Sequence, residues 1–406
     1  MGAKSSKELL NELLAKNNAD AVAAKANGEL VAWSNAIAPQ ELLETMNIKV
    51  VYTESHAAVI GAKKYAQEFI NRSEQEGYSV DICSYAKVNI GYLNIKESAA
   101  GNIPMPDLLF CCTNICNTAI KWYENLAKEL KIPMILFDMP FNHSYDVPDH
   151  SVKYIVGQFN EGIKQLEQIS GKKFDYDRFK EVMKISSEIG RLWKKTTGLA
   201  AAKPSPTNGF DLFNYMGAIV SLRGKQAGLD LFKLWAKELQ EKIDHGEGTW
   251  KDQEEKYRVL WDGIVCWPYL GDTYKILKKY GINIVTSTYP VSWPIVYDSD
   301  DLEGMARAYS SNYVNRNLEF LTDNIVDIIN KFSLDGVIYH SNRSCKLMDF
   351  RQYEVQRKVK ERTGVASVII DGDHTDPRAF SVAQYETRIQ ALVEILENRK
   401  NDGSNK

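Results

Sequence analysis

Six cysteines are the residues of this sequence best suited to chemistry, because a thiolate is both a nucleophile and a ligand for soft metals. They are Cys83, Cys111, Cys112, Cys116, Cys266 and Cys345. A chain of 406 residues without a secretory signal is not expected to hold them in disulfides. Two interpretations therefore stand side by side: small buried core residues, or ligands of a metal site.

The elements predicted around these cysteines would bring several of them to the functional edge of a sheet. Cys83, Cys112 and Cys266 each end a predicted strand, and Cys116 and Cys345 each precede a predicted helix. The positive N-terminal end of a helix favours the thiolate. Ligands of open α/β sheets bind outside the carboxyl ends of the strands. Three thiolates that met there would suit zinc, copper(I) or an iron–sulfur cluster, and position alone does not choose among these.

Short apolar runs alternate with helical patterns along both halves of the chain. The predicted strands are IKVVY (48–52), SVDIC (79–83), DLLFCC (107–112), PMILF (133–137), RVLWDGIVC (258–266), INIVTSTY (282–289), DGVIYH (335–340) and ASVIID (366–371). Helical patterns cover 57–77, 118–130, 158–200, 218–243 and 347–364. This alternation predicts an α/β protein with two doubly wound, Rossmann-like open-sheet domains joined by a helical segment.

The same patterns predict the division of the chain. We expect an N-terminal α/β domain at 1–157, a helical linking segment at 158–250, a C-terminal α/β domain at 251–398 and a disordered tail at 399–406. Within the linking segment, KPSPTNG (203–209) interrupts the helical pattern with proline and glycine.

Composition and charge exclude several classes of function. The net charge is −3 with interspersed signs, which lacks the basic patch of a nucleic-acid binder. No apolar run reaches the roughly 18–20 residues of a membrane span, and MGAKSSKELL lacks the apolar core of a secretory signal. We therefore expect a cytoplasmic protein without a membrane or nucleic-acid partner. The phosphate-binding pattern G-x-x-x-x-G-K-[ST] does not occur in the sequence, so ATP hydrolysis is not expected of this chain.

Several long segments resemble the 2-hydroxyacyl-CoA dehydratase family, and within it the α-type subunits that act on lactoyl-, phenyllactoyl- and 2-hydroxyisocaproyl-CoA in clostridia. They are VDICSYAKVNIGYL (80–93), CCTNICNTAIKWYENLAKEL (111–130), HSNRSCKLM (340–348), DGDHTDPRAFSVAQYETRIQALVE (371–394), LVAWSNAIAPQELL (30–43) and NGFDLFNYM (208–216). The likeness extends from about residue 8 to 398 and so covers nearly the whole chain.

The resemblance implies a heterodimer of this chain with a homologous β-type subunit, in which each subunit holds a [4Fe–4S] cluster. In the α-type subunit the cluster has three cysteine ligands and one open iron site. Carried over by motif, the ligands are Cys83, Cys116 and Cys345, and the other three cysteines are core residues or neighbours of the ligands. The resemblance also implies a separate ATP-hydrolysing iron–sulfur activator that supplies an electron of very low potential.

The implied reaction removes water from an (R)-2-hydroxyacyl-CoA to give a 2-enoyl-CoA. An ordinary base cannot begin it, because the thioester does not acidify the β-hydrogen. One electron added to the carbonyl gives a ketyl radical anion, which expels the α-hydroxyl and leaves an acidified β-proton for a base. An iron with one open position suits this chemistry, because it can bind the carbonyl oxygen as a Lewis acid.

Glu54 and Ser34 are the predicted catalytic residues. Glu54 follows a predicted strand at the expected carboxyl edge and could act as acid or base; the alternative is a glutamate that only favours a helix N-terminus. The family's W-S-x-S segment has Ala36 at its last position here. A hydroxyl contact at that position is therefore lost, and Ser34 or Asn35 would have to replace it.

Several other polar residues could have either a structural or a functional role. His56 is predicted to be a capping or surface residue, and His340 to be either a neighbour of the metal or a buried core histidine. Asp373 is expected to shape a turn. Arg343 and Lys346 could meet the phosphates of CoA.

Two other functions compete with the dehydratase subunit. One is a subunit of a benzoyl-CoA-type reductase, and the other is a non-catalytic electron-transfer subunit of the β type. The segments WSNAIAP and DGDHTDPRAF favour the dehydratase. Within that family, PFNH (140–143) and the segments at 28–34 and 203–216 favour a short, lactoyl-like substrate.

Overall fold

The computed structural model describes residues 4–298 and 300–401, and two parallel four-stranded sheets form its framework. The first sheet contains β1 (Val31–Ser34), β2 (Lys49–Tyr52), β3 (Leu108–Cys112) and β4 (Met134–Phe137). The second contains β5 (Tyr257–Asp262), β6 (Ile282–Ser287), β7 (Gly336–Asn342) and β8 (Ala366–Gly372). The predicted fold class, α/β with two doubly wound open sheets, is confirmed.

Both sheets have the same topology. Their strand orders are β2-β1-β3-β4 and β6-β5-β7-β8, and every pair is parallel. The inner strands are almost wholly buried and mostly apolar, as is typical of parallel strands covered on both faces. In each sheet the direction of the connections reverses between the two central strands, and ligands of such sheets bind at this point.

Helices cover the sheets and fill the space between them. The first half contains α1 (Ser6–Ala26), α2 (Gln40–Thr45), α3 (Thr53–Ala62), α4 (Ala66–Gln75), α5 (Ser84–Ile95), α6 (Asn117–Leu130) and α7 (Asp149–Ser170). The middle contains α8 (Tyr176–Gly198), α9 (Gly209–Ser221) and α10 (Gln226–Asp244). The second half contains α11 (Leu270–Lys279), α12 (Thr288–Val291), α13 (Leu302–Ser310), α14 (Leu318–Phe332), α15 (Lys346–Thr363) and α16 (Val382–Asn401).

The long middle helices pack on both halves rather than forming a detached linker. Helix α8 packs against α10 and α2, and α9 packs against β6. Helix α1 lies on α9 and α10. Among the described residues, 4–298 and 300–401, no helix combines the length and the apolar character needed to span a bilayer.

The strand predicted at 79–83 is wrong. This segment is a turn that follows Gly77, whose φ is 96°, and Val80 is 57% exposed. The strand position that it would fill belongs to β1, which pairs with both β2 and β3 and is fully buried. A run of alternating polar and apolar residues cannot take a position that is buried on both faces.

Two strands and two helices differ from the predictions. The helix predicted at 218–243 is the end of α9 followed, after a turn, by α10. Strand β5 ends at Asp262 because Gly263 turns the chain at φ 104°, so Cys266 lies beyond the strand. Strand β6 ends at Ser287, and α12 begins at the next residue. The helix predicted at 57–77 is two helices, α3 and α4.

The ends of the predicted segments also differ from the helices that are present. Helix α7 begins at Asp149, inside the predicted N-terminal domain. Helix α16 continues to Asn401, so 399–401 of the predicted tail are helical. The rest of that tail, 402–406, lies outside the described residues, and the division into domains stays a prediction.

Gly91 allows α5 to lie close against α4. A Cβ atom at this position would be 2.1 Å from the carbonyl oxygen of Phe69. We expect Gly91→Ala to lower the free energy of unfolding by about 1–3 kcal/mol, because the two helices must separate. Denaturant unfolding measures this change.

Gly157→Ala is the matched control. Gly157 lies on the exposed side of α7, and a Cβ atom added to it would have no heavy atom within 4 Å. Alanine there should raise stability by about 0.5–1 kcal/mol through helix propensity. Equal effects of the two substitutions would contradict the close packing of α4 and α5.

Candidate functional site

The three predicted ligands share one local structure. Cys83, Cys116 and Cys345 each occupy the N-cap position of a helix, directly before α5, α6 and α15 respectively. The backbone N–H groups of a first helical turn are not used within the helix and carry a partial positive charge. Each sulfur therefore lies where a negative charge is stabilised.

Exposure separates these cysteines from the others. Cys83, Cys116 and Cys345 are partly exposed. Cys111, Cys112 and Cys266 are buried. Asn35 holds the buried pair on β3: its amide nitrogen is 3.5 Å from the Cys111 sulfur, and its amide oxygen is 3.5 Å from the Cys112 sulfur.

A buried carboxylate brings Cys83 and Cys345 together from opposite halves of the chain. The Ser84 hydroxyl donates to Asp373 at 2.5 Å, and the backbone N–H of Ser344 donates to the same carboxylate at 3.2 Å. The N–H of Ser84 also donates to the Ser344 hydroxyl at 3.1 Å. Because Ser84 follows Cys83 and Ser344 precedes Cys345, the two cysteines are neighbours. Asp373 thus does more than shape a turn.

Cys116 reaches the same place from the first sheet. It lines a cleft of about 780 Å³ together with Lys346 and Leu347, which follow Cys345 in the chain. The preceding residue, Ile115, lines a small cavity of about 70 Å³ with Cys345 itself. The structure therefore brings all three predicted ligands to one crevice between the two sheets.

The electrostatics of the three thiols reflect this proximity. Burial raises the pKa of Cys83, and the neighbouring thiols of Cys345 and Cys116 raise it further. Burial and Cys116 raise the pKa of Cys345 to about 12. The N–H groups of Ala86 and Met348 act in the opposite direction. A bound cation would remove the repulsion, since coordination deprotonates a thiol outright.

Three thiols are donors of the kind that soft metals and iron–sulfur clusters take. In the described part of the chain, no group of three or more His, Cys, Asp or Glu side chains is arranged to hold one metal ion. The ligands of an iron–sulfur cluster bind different irons and need not converge on one point. Three partly exposed thiols at three helix N-termini around one crevice are compatible with that arrangement.

Glu54 lies in the first turn of α3, beside this crevice. One carboxylate oxygen accepts the backbone N–H of Ala36 at 3.2 Å, and the other accepts the Thr53 hydroxyl at 3.1 Å. Burial raises the pKa of Glu54 to about 7, although both donors act to lower it. Its charge in turn raises the pKa of Cys116. A carboxyl group with such a pKa can give or take a proton near neutrality.

The other predicted catalytic residue, Ser34, lines neither the cleft nor the small cavity. Ser34 is fully buried at the end of β1, and its hydroxyl donates to the carbonyl of Asn35 at 2.9 Å. The Asn35 side chain is occupied by the cysteines of β3. Ala36 contributes its backbone N–H to Glu54 instead of a hydroxyl. The role of Ser34 stays a prediction that this orientation does not support.

His374 is a site residue that the sequence analysis missed. Its Nε2 atom is 3.6 Å from the Cys83 sulfur and accepts the backbone N–H of Tyr85 at 3.4 Å. Its Nδ1 atom pairs with the Asn342 amide oxygen at 2.9 Å, which places the proton on Nδ1. Its place just after β8, inside a segment that carried the family resemblance, was the signal that could have identified it.

The other predicted polar residues lie at varied distances from the crevice. His56 is neither a cap nor a surface residue: it is buried, and its Nδ1 atom pairs with Asn89 at 3.2 Å. His340 is a buried core histidine that contacts the carbonyl of Ile264. Lys346 lines the cleft, whereas Arg343 is 70% exposed and 3.9 Å from Asp81.

Comparison with known proteins agrees with these features. A family model described as the D-component of 2-hydroxyglutaryl-CoA dehydratase matches residues 35–396. The alpha subunit of (R)-2-hydroxyisocaproyl-CoA dehydratase from Clostridioides difficile is 49% identical over 398 residues, which cover 98% of this chain and 97% of that protein.

Two further relatives match over similar lengths. Lactoyl-CoA dehydratase subunit alpha from Anaerotignum propionicum is 44% identical, with 96% of each chain covered. The alpha subunit of (R)-phenyllactyl-CoA dehydratase from Clostridium sporogenes is 43% identical, with 98% of this chain and 97% of the relative covered. All three are named as alpha subunits of dehydratases, so the resemblance found in the sequence is confirmed.

The raised pKa of Glu54 makes a prediction about stability. A carboxyl with a pKa of about 7 in the folded chain and about 4.5 when unfolded costs stability as the pH rises through this interval. Full burial would make that cost about 3 kcal/mol, and partial exposure reduces it to about 1–2 kcal/mol. We expect Glu54→Gln to gain this amount over the wild type between about pH 5 and pH 8.

Urea unfolding of both proteins at the two pH values measures the difference. The other titrating groups are the same in the wild type and in Glu54→Gln, so their contributions to the stability difference cancel. A stability difference that stays the same at both pH values would show that Glu54 titrates like an ordinary exposed glutamate.

Proposed function

This chain belongs to the family of the 2-hydroxyglutaryl-CoA dehydratase D-component, and from that premise we propose that it is the α-type, substrate-binding subunit of an (R)-2-hydroxyacyl-CoA dehydratase, a hydro-lyase. The observation that carries the proposal is the meeting of Cys83, Cys116 and Cys345 in one crevice beside Glu54. Family membership supports the reaction class, and this geometry supports the place where it occurs.

We assign a [4Fe–4S] cluster to the three cysteines. Soft thiolate ligands suit such a cluster, and the three helix N-termini offset part of the negative charge that the thiolates bring. When bound, a cluster with one iron free of protein ligands would supply an electron and a Lewis acid for a thioester oxygen. The chain itself contributes the three ligands, the surrounding donors and the exclusion of water.

The small apolar cavity is the proposed acyl pocket. It has a volume of about 70 Å³ and lies between the two halves, with Ile37 and Ile115 from the first and Ile264 and Met348 from the second. One water molecule needs roughly 10–15 Å³ of such volume, so the cavity accommodates only a few heavy atoms. This supports a short aliphatic chain, such as that of lactoyl-CoA, over an aryl chain.

The larger cleft is the proposed site for the CoA moiety. Its lining runs from Cys116 at the crevice to Phe350, which is 87% exposed on α15. Lys346 and Arg351 also line this cleft and carry positive charges suited to phosphate groups. A thioester carbonyl held near Cys116 would thus leave its acyl chain in the small cavity and its nucleotide in the cleft.

Glu54 is the proposed acid or base. Its pKa of about 7 leaves protonated and ionised forms in comparable amounts at neutral pH. The N–H of Ala36 and the hydroxyl of Thr53 fix the carboxyl group in one orientation. It can therefore protonate a departing hydroxyl or receive a proton without a change of rotamer.

Two partners complete the proposed enzyme. The three closely similar relatives are named as alpha subunits, which supports a heterodimer with a β-type subunit. The sequence contains no phosphate-binding loop of the type G-x-x-x-x-G-K-[ST], so we assign the supply of low-potential electrons to a separate ATP-dependent iron–sulfur activator.

Replacing the ligands one at a time tests the cluster assignment. We expect Cys83→Ala, Cys116→Ala and Cys345→Ala each to lose most of the iron and all dehydratase activity, because each removes one of three ligands. Iron and sulfide analysis and EPR spectra after anaerobic purification measure the loss.

Cys266→Ala is the matched control, because Cys266 is buried and lines neither the cleft nor the small cavity. It should keep the iron content and most of the activity. The assignment fails if Cys266 proves necessary for the cluster while one of the other three does not.

The acyl pocket predicts the order of substrates. With the β-type subunit, activator and ATP present, we expect kcat/KM for lactoyl-CoA to exceed that for phenyllactoyl-CoA by at least about 10-fold, since the aryl ring exceeds the cavity. Benzoyl-CoA should not be reduced. Preference for the aryl substrate would refute the pocket assignment, and reduction of benzoyl-CoA would favour the reductase alternative.

A further inference from the structure

The small cavity that we assign to the acyl chain adjoins a second, larger cavity. Ser292, Asn312 and Tyr313 line the small cavity and also line this outer cavity, which has a volume of about 740 Å³. These three residues, here called the partition, therefore lie between the two spaces. The cleft proposed for CoA meets the small cavity elsewhere, at Ile115 and Leu347.

Asn312 holds the partition together. Its side-chain amide donates to the carbonyl of Ser292 at 3.0 Å, and its amide oxygen accepts the backbone N–H of Val314 at 3.2 Å. Ser292 directly follows α12, and Asn312 caps the short 3₁₀ turn Tyr313–Asn315. The buried hydrogen bond between them thus joins two chain segments where the two cavities adjoin.

The segment that carries the partition is anchored to the first half of the chain. The Asn315 amide donates to the carbonyl of Pro140 at 3.0 Å and to that of Ser310 at 3.2 Å. The backbone N–H of Asn142 donates to the carbonyl of Asn315 at 3.3 Å. Asn142 and Asn315 are both buried, so water does not compete for these bonds. The partition is therefore held in one position.

The outer cavity offers room that the small cavity lacks. Buried apolar side chains form part of its lining, among them Ile295, Ile328 and Phe332. Methylene groups that continued past the partition would be removed from water there, which favours binding. A longer acyl chain is thus kept out by the partition and not by a lack of apolar surface beyond it.

We propose that Asn312, with Ser292 and Tyr313, limits the length of the acyl chain that the protein accepts. This rests on the proposed function, because it takes the small cavity as the acyl pocket. A chain that exceeds the pocket must either displace the buried hydrogen bond of Asn312 or remain outside, and both weaken binding. The substrate class that follows is a 2-hydroxyacyl-CoA with a short aliphatic chain, selected by steric exclusion.

The first test measures binding without turnover. Propionyl-CoA and hexanoyl-CoA both lack the hydroxyl that leaves, and calorimetric titration of the holoenzyme with each gives a ratio of dissociation constants. We expect the wild type to bind hexanoyl-CoA at least about 10-fold more weakly. Asn312→Ser removes the amide but keeps a capping residue, and should bring the two constants within about threefold. Equal binding by the wild type, or an unchanged ratio in Asn312→Ser, would overturn the inference.

Two further variants test where the longer chain goes. Tyr313→Leu shortens another member of the partition and should shift the ratio in the same direction. Gly198 lines only the outer cavity, where the Lys331 amino group, at 3.7 Å, is the one heavy atom near an added Cβ. Gly198→Trp should leave the wild-type ratio unchanged and cancel the gain of Asn312→Ser, because it fills the space beyond the partition. A gain that survives Gly198→Trp would overturn the inference.

Asn208→Ser is the matched control. Asn208 is 7% exposed and Asn312 is 6% exposed, and each caps a helical turn and donates its amide to an oxygen atom. Asn208 lines neither cavity, so its replacement should keep the wild-type ratio. A shift equal to that of Asn312→Ser would overturn the inference, because the effect would then follow from the loss of any buried amide.

Turnover separates this inference from the proposed function. With the β-type subunit, activator and ATP present, Asn312→Ser should raise kcat/KM for 2-hydroxyhexanoyl-CoA relative to lactoyl-CoA by at least about 10-fold. Dehydratase activity with an unchanged ratio would reject the inference and leave the proposed function standing. A shifted binding ratio in a protein without dehydratase activity would uphold the limit on chain length and reject the proposed function.

Discussion

The arrangement of the site depends on one buried carboxylate. Asp373 is 2% exposed and accepts hydrogen bonds from the Ser84 hydroxyl and from the N–H groups of Ser344, Thr375 and Asp376. A buried charge without partners would be costly, so the two chain segments that supply these donors cannot separate without a large penalty. One of those segments carries Cys83 and the other carries Cys345. The hydrogen bonds that join the two halves therefore also hold the proposed ligands Cys83 and Cys345 in position.

Repetition of one topology explains why two halves can build a single crevice. Each sheet has its reversal point between its two central strands, and the loops that leave the strands carry the reactive residues. The first half contributes Glu54, Cys83 and Cys116, and the second contributes Cys345. Neither half alone contains the full set. An acyl-CoA bound between them would contact both sheets at once.

The crevice also balances opposing electrostatic demands. Three thiols and one carboxyl group lie close together, and each raises the cost of ionising the others. Helix N-termini, the N–H of Ala36 and the hydroxyl of Thr53 offset part of that cost. Lys346 and Arg351 line the cleft, and the Arg351 guanidinium also lies over the Tyr313 ring and acts to lower the pKa of Cys345. A cation therefore offsets part of the negative charge of the thiolates.

The sequence by itself determined the fold class, seven of the eight strands, several long helices, and the place of Cys116 and Cys345 directly before helices. It did so because these depend on local periodicity and on motifs of contiguous residues. It missed β1, a run of four residues too short to distinguish from a loop, and it placed a strand at 79–83 where the chain turns.

Only the tertiary structure decided which polar groups face the crevice. Ser34 ends β1, and Glu54 lies just beyond the neighbouring strand β2. The Ser34 hydroxyl donates to the carbonyl of Asn35, whereas the Glu54 carboxylate lies beside the crevice and accepts the N–H of Ala36. His374 is far from Cys83 and Cys116 in sequence, and hydrophobic periodicity alone does not distinguish it from a core residue. Its place beside Cys83 follows from packing between segments that are more than 200 residues apart.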